Sequence, residues 1–309
     1  MNAVHETASL ASPADMRCLW QAGALLGEGP VWVARERALY WVDIKSFRLH
    51  RFEPGNETRS SWTVPEQISA LHPAADGGFI AAVRGGFARV EIDGGRIDLT
   101  PLEQPEADRP DNRFNDGTID AAGRFWAGSM DDGEREPTGA LYCFEADGRC
   151  RVMDRDYVIT NGPALSRDNR WLYHTDTLAR RIYRFALSAQ GTLSGRGVHI
   201  EIPEAEGYPD GMTVDAEDHL WVAHYGGARV SRFDPEGRKV GHLPLPVSNV
   251  TSCTFGGDGL DQLYITTAAK GLDAARRQAE PLAGGLFVCT PGVRGLPGQL
   301  FAAPTEGTA

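Results

Sequence analysis

An all-β fold, a single six-bladed β-propeller, is predicted for this 309-residue chain by three observations. A short hydrophobic pattern recurs six times, its copies are spaced in the forties, and Gly and Pro are spread along the whole length. The pattern is a turn containing Asp, Gly or Asn followed by a hydrophobic run whose second or third residue is often aromatic. Its copies read Leu39-Tyr40-Trp41-Val42, Phe79-Ile80-Ala81-Ala82, Phe125-Trp126-Ala127-Gly128, Leu172-Tyr173-His174-Thr175, Leu220-Trp221-Val222-Ala223 and Leu263-Tyr264-Ile265-Thr266. Their starts lie 40, 46, 47, 48 and 43 residues apart, which accommodates four short strands and their turns, the content of one blade. The 36 Gly and 19 Pro form no low-complexity block, so they read as many turns between short elements.

Segments such as Ile182 to Ala186, Arg229 to Phe233 and Gly285 to Cys289 are bounded by turn formers and rich in β-branched or aromatic residues, so they are predicted as outer strands. Leu272 to Ala279 could form a short helix. After the sixth copy only two strand-like pieces remain, near Leu286 and near Gln299 to Ala302, too few to complete a blade. The missing strand is therefore placed at Arg17 to Ala22, where it closes the last blade and removes an exposed edge. One propeller domain over residues 17–303 is expected, with tails at 1–16 and 304–309. A pair of β-sandwiches is disfavoured, since nothing in a sandwich calls for six copies at this period.

Forty-two acidic against 31 basic residues give a net charge of −11, which repels phosphate backbones and anionic lipid. Neither nucleic acid nor membrane is expected as a partner. The five Cys show no CxxC pair or dense spacing, so a reducing cytoplasm is the expected compartment. The first 16 residues carry Glu6 and Asp15 without a signal-peptide core, and no later stretch is long and apolar enough to span a bilayer. A monomer or weak homo-oligomer is expected.

Counting ten or eleven residues back from each anchor gives Glu28, Ile68, Asn115, Asn161, Asp210 and Ser252, five of them polar. Each is expected to begin an innermost strand, which would bring these side chains together on the axis at one end of the channel. Glu28, Asn161 and Asp210 are each followed by Gly, so the backbone can turn immediately after the oxygen-bearing side chain. Singly, Asp-Gly or Asn-Gly is an ordinary turn; the shared register points to a site. Three oxygen donors with two negative charges suit a hard cation such as Ca²⁺, Mg²⁺ or Mn²⁺ better than a thiolate-seeking metal.

Further motifs run in order along the chain: Gly27-Glu28-Gly29-Pro30, Asn112-Arg113-Phe114-Asn115-Asp116-Gly117, Asn161-Gly162-Pro163, Tyr208-Pro209-Asp210-Gly211-Met212, Thr251-Ser252-Cys253, Phe255-Gly256-Gly257 and Ala283-Gly284-Gly285-Leu286-Phe287. In these motifs, from about Leu26 to Phe301, the chain resembles the senescence marker protein, gluconolactonase and regucalcin family of six-bladed propeller lactonases. The resemblance implies that Glu28, Asn161 and Asp210 bind one divalent cation (calcium, magnesium, manganese, zinc or iron). It implies that Arg113 and Asn115 contact a small sugar lactone and that Asp210 doubles as the catalytic acid or base. Gluconolactone, xylonolactone, arabinonolactone and galactonolactone are all admissible substrates. Where animal relatives carry an acidic residue that contacts substrate, this chain offers Asp131, Asp132 and Glu134, and the choice among them stays open.

The chemistry expected is metal-assisted ester hydrolysis, with the cation as Lewis acid and Asp210 shuttling the proton. The alternatives are a non-catalytic calcium-binding or scaffolding propeller and a broader esterase or organophosphate hydrolase on the same scaffold. No Gly-x-Ser-x-Gly elbow, His-Glu-x-x-His or phosphate loop occurs. His174 and His224 are expected to be hydrogen-bonded structural residues, and Cys253 a buried inner-strand residue without a redox role.

Overall fold

The turns before the repeat anchors are shaped by their acidic residues. Asp120 accepts from the backbone N–H of Ala122 and Arg124 at 2.9 and 3.0 Å, and from the Trp126 indole at 2.8 Å. Asp215 repeats this with the N–H of Glu217 and His219 and the Trp221 indole, at 2.9, 3.0 and 2.8 Å. One carboxylate thus ends the innermost strand, starts the second, and satisfies the polar edge of a core tryptophan. Trp41, Trp126, Trp221 and Tyr264 are all fully buried, so the anchor aromatics are core.

In the computed structural model the described residues, 15–303, form six four-stranded antiparallel sheets. Blades one to five are continuous in sequence. Their innermost strands are Gly27–Val33, Ile68–Pro73, Asn112–Ile119, Thr160–Leu165 and Tyr208–Val214. In blade six, Val250–Gly256, Gln262–Thr267 and Leu286–Cys289 are joined by Arg17–Trp20 as the fourth strand. The core fills the wedges between neighbouring blades. Tyr40, Val42 and Leu49 of blade one meet Leu71, Phe79 and Ala81 of blade two, and Trp221 and Val230 of blade five meet Phe255 and Ile265 of blade six. Each wedge excludes water at both faces of a blade, so no sheet is stable apart from the ring.

The six-blade reading, the outer strands and the N-terminal closure hold, and the expected helix is Ala274–Ala279. Of the tails expected at 1–16 and 304–309, residues 1–14 and 304–309 lie outside the described residues. The strand expected near Gln299 to Ala302 does not form. Phe301 makes one isolated bridge to Ala74 and stacks on Phe144 at 5.7 Å, while residues 296–300 line the far end of an axial cavity of about 610 Å³. Phe301 donates to the Pro73 carbonyl and accepts from the Ala75 N–H, so the pairing is confined to this one residue.

Every innermost strand carries a one-residue bulge at the same level. The register slips between Glu28 and Val31, Ile68 and Ala70, Phe114 and Asp116, Asn161 and Ala164, Pro209 and Met212, and Val250 and Ser252. Bulges bend a strand and re-aim its side chains, and they accommodate Pro30 and Pro163, which cannot donate to a ladder. Six aligned bulges make the channel mouth a ring of redirected side chains.

Two expectations follow. Trp20 packs edge-on against Trp41 at 5.6 Å, and Arg59 donates to the Leu19 carbonyl at 2.6 Å, so the N-terminal strand is tied to blade one as well as blade six. Deleting residues 1–14 should leave melting and solubility unchanged. Deleting 1–23 should expose the edge of Leu286–Cys289 and cause aggregation, measured by light scattering; a soluble, active 24–309 fragment would contradict the closure.

His50, His174 and His224 are held neutral, burial lowering them to about 4, about 3 and about 4 respectively. Because the unfolded chain then takes up protons first, this stabilisation is complete above pH ~6.5 and is lost as pH falls toward ~4. At pH 5 each ring should cost about 2 kcal/mol. The melting temperature should fall across this window, and His174→Phe should flatten the fall; a melting temperature constant between pH 7 and 5 would contradict it.

Candidate active site at the channel mouth

Glu28, Asn161 and Asp210 come from blades one, four and five and lie at the level of the bulges, each 5% exposed or less. Glu28 and Asn161 are the last ladder partners before their bulges, and Asp210 sits within its own. Asn115, the bulged residue of blade three, donates to the Asn161 side-chain oxygen at 2.9 Å and to the Thr160 carbonyl at 2.6 Å. It lies fourth in its strand, not first as expected, because blade three's innermost strand begins earlier, at Asn112.

The Asn161 amide nitrogen donates to Thr177 Oγ1 at 2.9 Å, and that hydroxyl donates to the Pro209 carbonyl at 3.0 Å. Blade four is thereby tied to the residue that precedes Asp210. Two glycines make this approach possible. Gly162 has φ +68°, and a Cβ there would stand 2.6 Å from Met212 Cε; a Cβ on Gly211 would stand 2.3 Å from Ser252 Oγ. Gly211 needs glycine for space, and Gly162 needs it for its left-handed backbone.

Burial, then the negative charges of Asp210 and Asp116, push the Glu28 carboxyl well above its usual range. Burial and Asp116 do the same to Asp210. Asp116, which the register reading missed, is pushed up to about 7 by burial, against the opposing pull of the Gly117 and Gly162 N–H groups at 2.7 and 3.0 Å. Its signal was present in the sequence: Asp116-Gly117 has the same acid-glycine form as Asp210-Gly211, one residue past the counted position. Among the described residues neither Glu28 nor Asp210 has an ion-pair partner, although buried charge is normally paired or bound to metal. No three Asp, Glu, His or Cys side chains form a ligand cluster among the described residues; the candidate set is two carboxylates and one amide. These hard oxygens, short of positive charge, fit a divalent cation.

Arg113, 2% exposed, donates to Asn115 Oδ1 at 2.6 Å, to the Phe114 carbonyl at 2.9 Å and to Asp132 at 2.7 Å. Of the two residues expected to meet substrate, Asn115 thus adjoins Asn161 directly and Arg113 through Asn115. The three acids left open in the sequence have different surroundings. Asp131 is consumed by its own turn, accepting from the N–H of Gly133, Arg135 and Glu136. Asp132 faces the mouth and holds Arg113 and Lys45, whereas Glu134 pairs with Lys270. Burial would raise the Asp132 carboxyl, but the Lys45 hydrogen bond and nearby positive charge hold it below its usual range.

His174 and His224 are fully buried within their blades. His224 bonds the Glu206 carbonyl at 2.8 Å, as expected. His174 corrects the expectation of a hydrogen bond: neither ring nitrogen has a partner among the described residues, and the ring packs edge-on to Tyr157 at 4.7 Å. Cys253 is buried in its innermost strand.

A ring of polar side chains redirected onto the axis by bulges defines a six-bladed propeller with an acidic, oxygen-lined site at one mouth. The chain belongs to the SMP-30/gluconolactonase/LRE-like family, whose model matches residues 26–269. It is 35% identical to a 6-deoxy-6-sulfogluconolactonase of Pseudomonas putida, over 93% of this chain and 98% of that one. Its identity to the pentonolactonase XacC of Haloferax volcanii is 38%, over 84% and 87% respectively. Among solved structures, a calcium-binding regucalcin from Agrobacterium tumefaciens superposes with a TM-score of 0.88 at 28% identity, covering 92% of this chain and 96% of that one.

Proposed function

We propose that this protein is a metal-dependent lactonase that opens a sugar lactone to its aldonic acid, with Glu28, Asn161 and Asp210 holding one divalent cation and Asp210 moving the proton. The observation that carries this reading is the convergence of two buried carboxylates, without an ion-pair partner among the described residues, and an oriented amide oxygen beside the Arg113–Asn115 pair. Family membership and the lactonase relatives support it. When bound, a cation in this set polarises the lactone carbonyl and offsets the negative charge that develops on its oxygen.

Asn115 and Arg113 orient the substrate by hydrogen bonds to its carbonyl or hydroxyls, and the Asp132 carboxylate fixes the plane of the guanidinium. Asp210 takes a proton from the attacking water as the new C–O bond forms at the carbonyl carbon. The ring C–O bond then breaks, and Asp210 returns the proton to the departing ring oxygen. Water and lactone are consumed, and one hydroxy acid is produced. Asp116 acts as a positioning residue: by accepting from Gly162 N–H it holds the turn that follows Asn161.

Stripping the protein with a chelator should abolish lactone opening, followed by acid release, while the far-UV spectrum stays that of a folded propeller. Full turnover after verified metal removal would sink the metal reading. Asp210→Asn keeps an oxygen at the same place but removes the base. With metal occupancy confirmed, its turnover should stay about 10²- to 10⁴-fold low, whereas Asn161→Asp should retain measurable turnover. The reverse order would show that Asp210 has been given the wrong role.

A further inference from the structure

We infer that the lactone opened here carries an oxyanion substituent (carboxylate, sulfonate or phosphate) recognised by a basic arc on the rim of the channel mouth. This rests on the placement of the lactone at the Glu28–Asn161–Asp210 mouth argued above. The arc is built by Lys45 of blade one, Arg84 of blade two, Arg113 of blade three and Lys270 of blade six. Lys45 and Lys270 lie in turns that follow second strands, and Arg84 directly follows one, so the three stand at one end of the ring.

Three of the four cations converge on one carboxylate. Arg113 meets Asp132 at 2.7 Å, Arg84 approaches it at 3.8 Å, and Lys45 bonds the same oxygen as Arg113. Lys270 is paired with Glu134 and lies within the field of Asp210. Four cations therefore face two rim carboxylates in a chain whose net charge is −11. The arrangement is costly to the folded protein alone. Lys45 is half-buried and its ammonium is destabilised first by burial, with Arg113 and Lys270 adding repulsion. In blade four the available cation, Arg180, is instead laid over the Tyr208 ring at 4.2 Å.

The outer members of the arc are accessible, the Arg84 side chain being 44% exposed and that of Lys270 33%, while Arg113 lies buried beneath them. An anionic group entering above Arg113 would meet charge-assisted donors that a hydroxymethyl group could not use fully. The carbonyl end of the same molecule would lie over the axis, where the local charge has the opposite sign. The two zones thus fix the direction in which a lactone enters as well as its class.

The test compares kcat/KM of the metal-loaded protein for two aldonolactones of the same ring, one ending in a hydroxymethyl group and one in a carboxylate or sulfonate. The anionic lactone should be favoured about tenfold or more, the worth of one hydrogen bond between charged groups. The preference should shrink as ionic strength rises from about 0.05 M to about 0.5 M. Arg84→Gln and, independently, Lys270→Gln should each lower the anionic-to-neutral ratio several-fold, and Arg84→Glu should lower it further. Equal rates on both lactones, or a ratio unmoved by all three variants, would overturn the inference. So would strong inhibition by the aldonate product without preference for the anionic lactone, since the arc would then serve only the carboxylate formed in the reaction. In each of those cases loss of turnover in Asp210→Asn would leave the proposed site standing. If both lactones were opened equally by chelator-stripped protein, the site placement would fall together with the inference.

Discussion

Three buried carboxylates, Glu28, Asp116 and Asp210, feel one another's charge at the channel mouth, and much else in this protein can be understood from that constraint. Each repels the others, and burial penalises the charge of each. A fold can sustain such crowding only if the backbone carrying the groups cannot relax. Here the carriers are innermost strands pressed between neighbouring sheets, and the ring of six blades is closed by a strand from the other end of the chain. The core between blades supplies the rigidity, and the axis is where the like charges meet.

The bulges convert that rigidity into aim. An unbroken innermost strand would alternate its side chains between neighbouring wedges of core. One extra residue in each strand, at a common level, interrupts the alternation and turns polar side chains toward the axis. The hydrogen-bond chain from Asp132 through Arg113 and Asn115 to Asn161, and on through Thr177 to the Pro209 carbonyl, then links blades three, four and five. Substrate-orienting and cation-holding residues thereby share one network. Arg113 is thereby linked to the Asn161 amide through Asn115.

The legibility of the site in sequence varied with how local its causes were. That Glu28, Asn161 and Asp210 share one level of the mouth is legible because each acid or amide precedes a glycine in a repeat of nearly fixed length. Asp116 escaped the count because the bulge in blade three falls one residue before it, so that Asn115 occupies the counted position. The choice among Asp131, Asp132 and Glu134 could not be read at all. Asp131 is removed from consideration only by its turn, and Asp132 is marked only by cations contributed from blades one, two and three.

By itself the sequence determined the all-β class, the number of blades, the closing role of a strand within residues 17–22 and the polar register, because each depends on periodicity or on contacts within one repeat. It also carried the family's motifs in their order. Only the tertiary structure decided which charges face one another across the mouth. Lys45 and Asp132 are 87 residues apart in the chain and Lys270 and Glu134 are 136 apart, so no local pattern links either pair. The same holds for His174, which has no hydrogen-bond partner among the described residues because of the blade packed around it. Local chemistry shapes a turn or a strand, whereas the field at a propeller's mouth is the sum over blades that meet only when the ring closes.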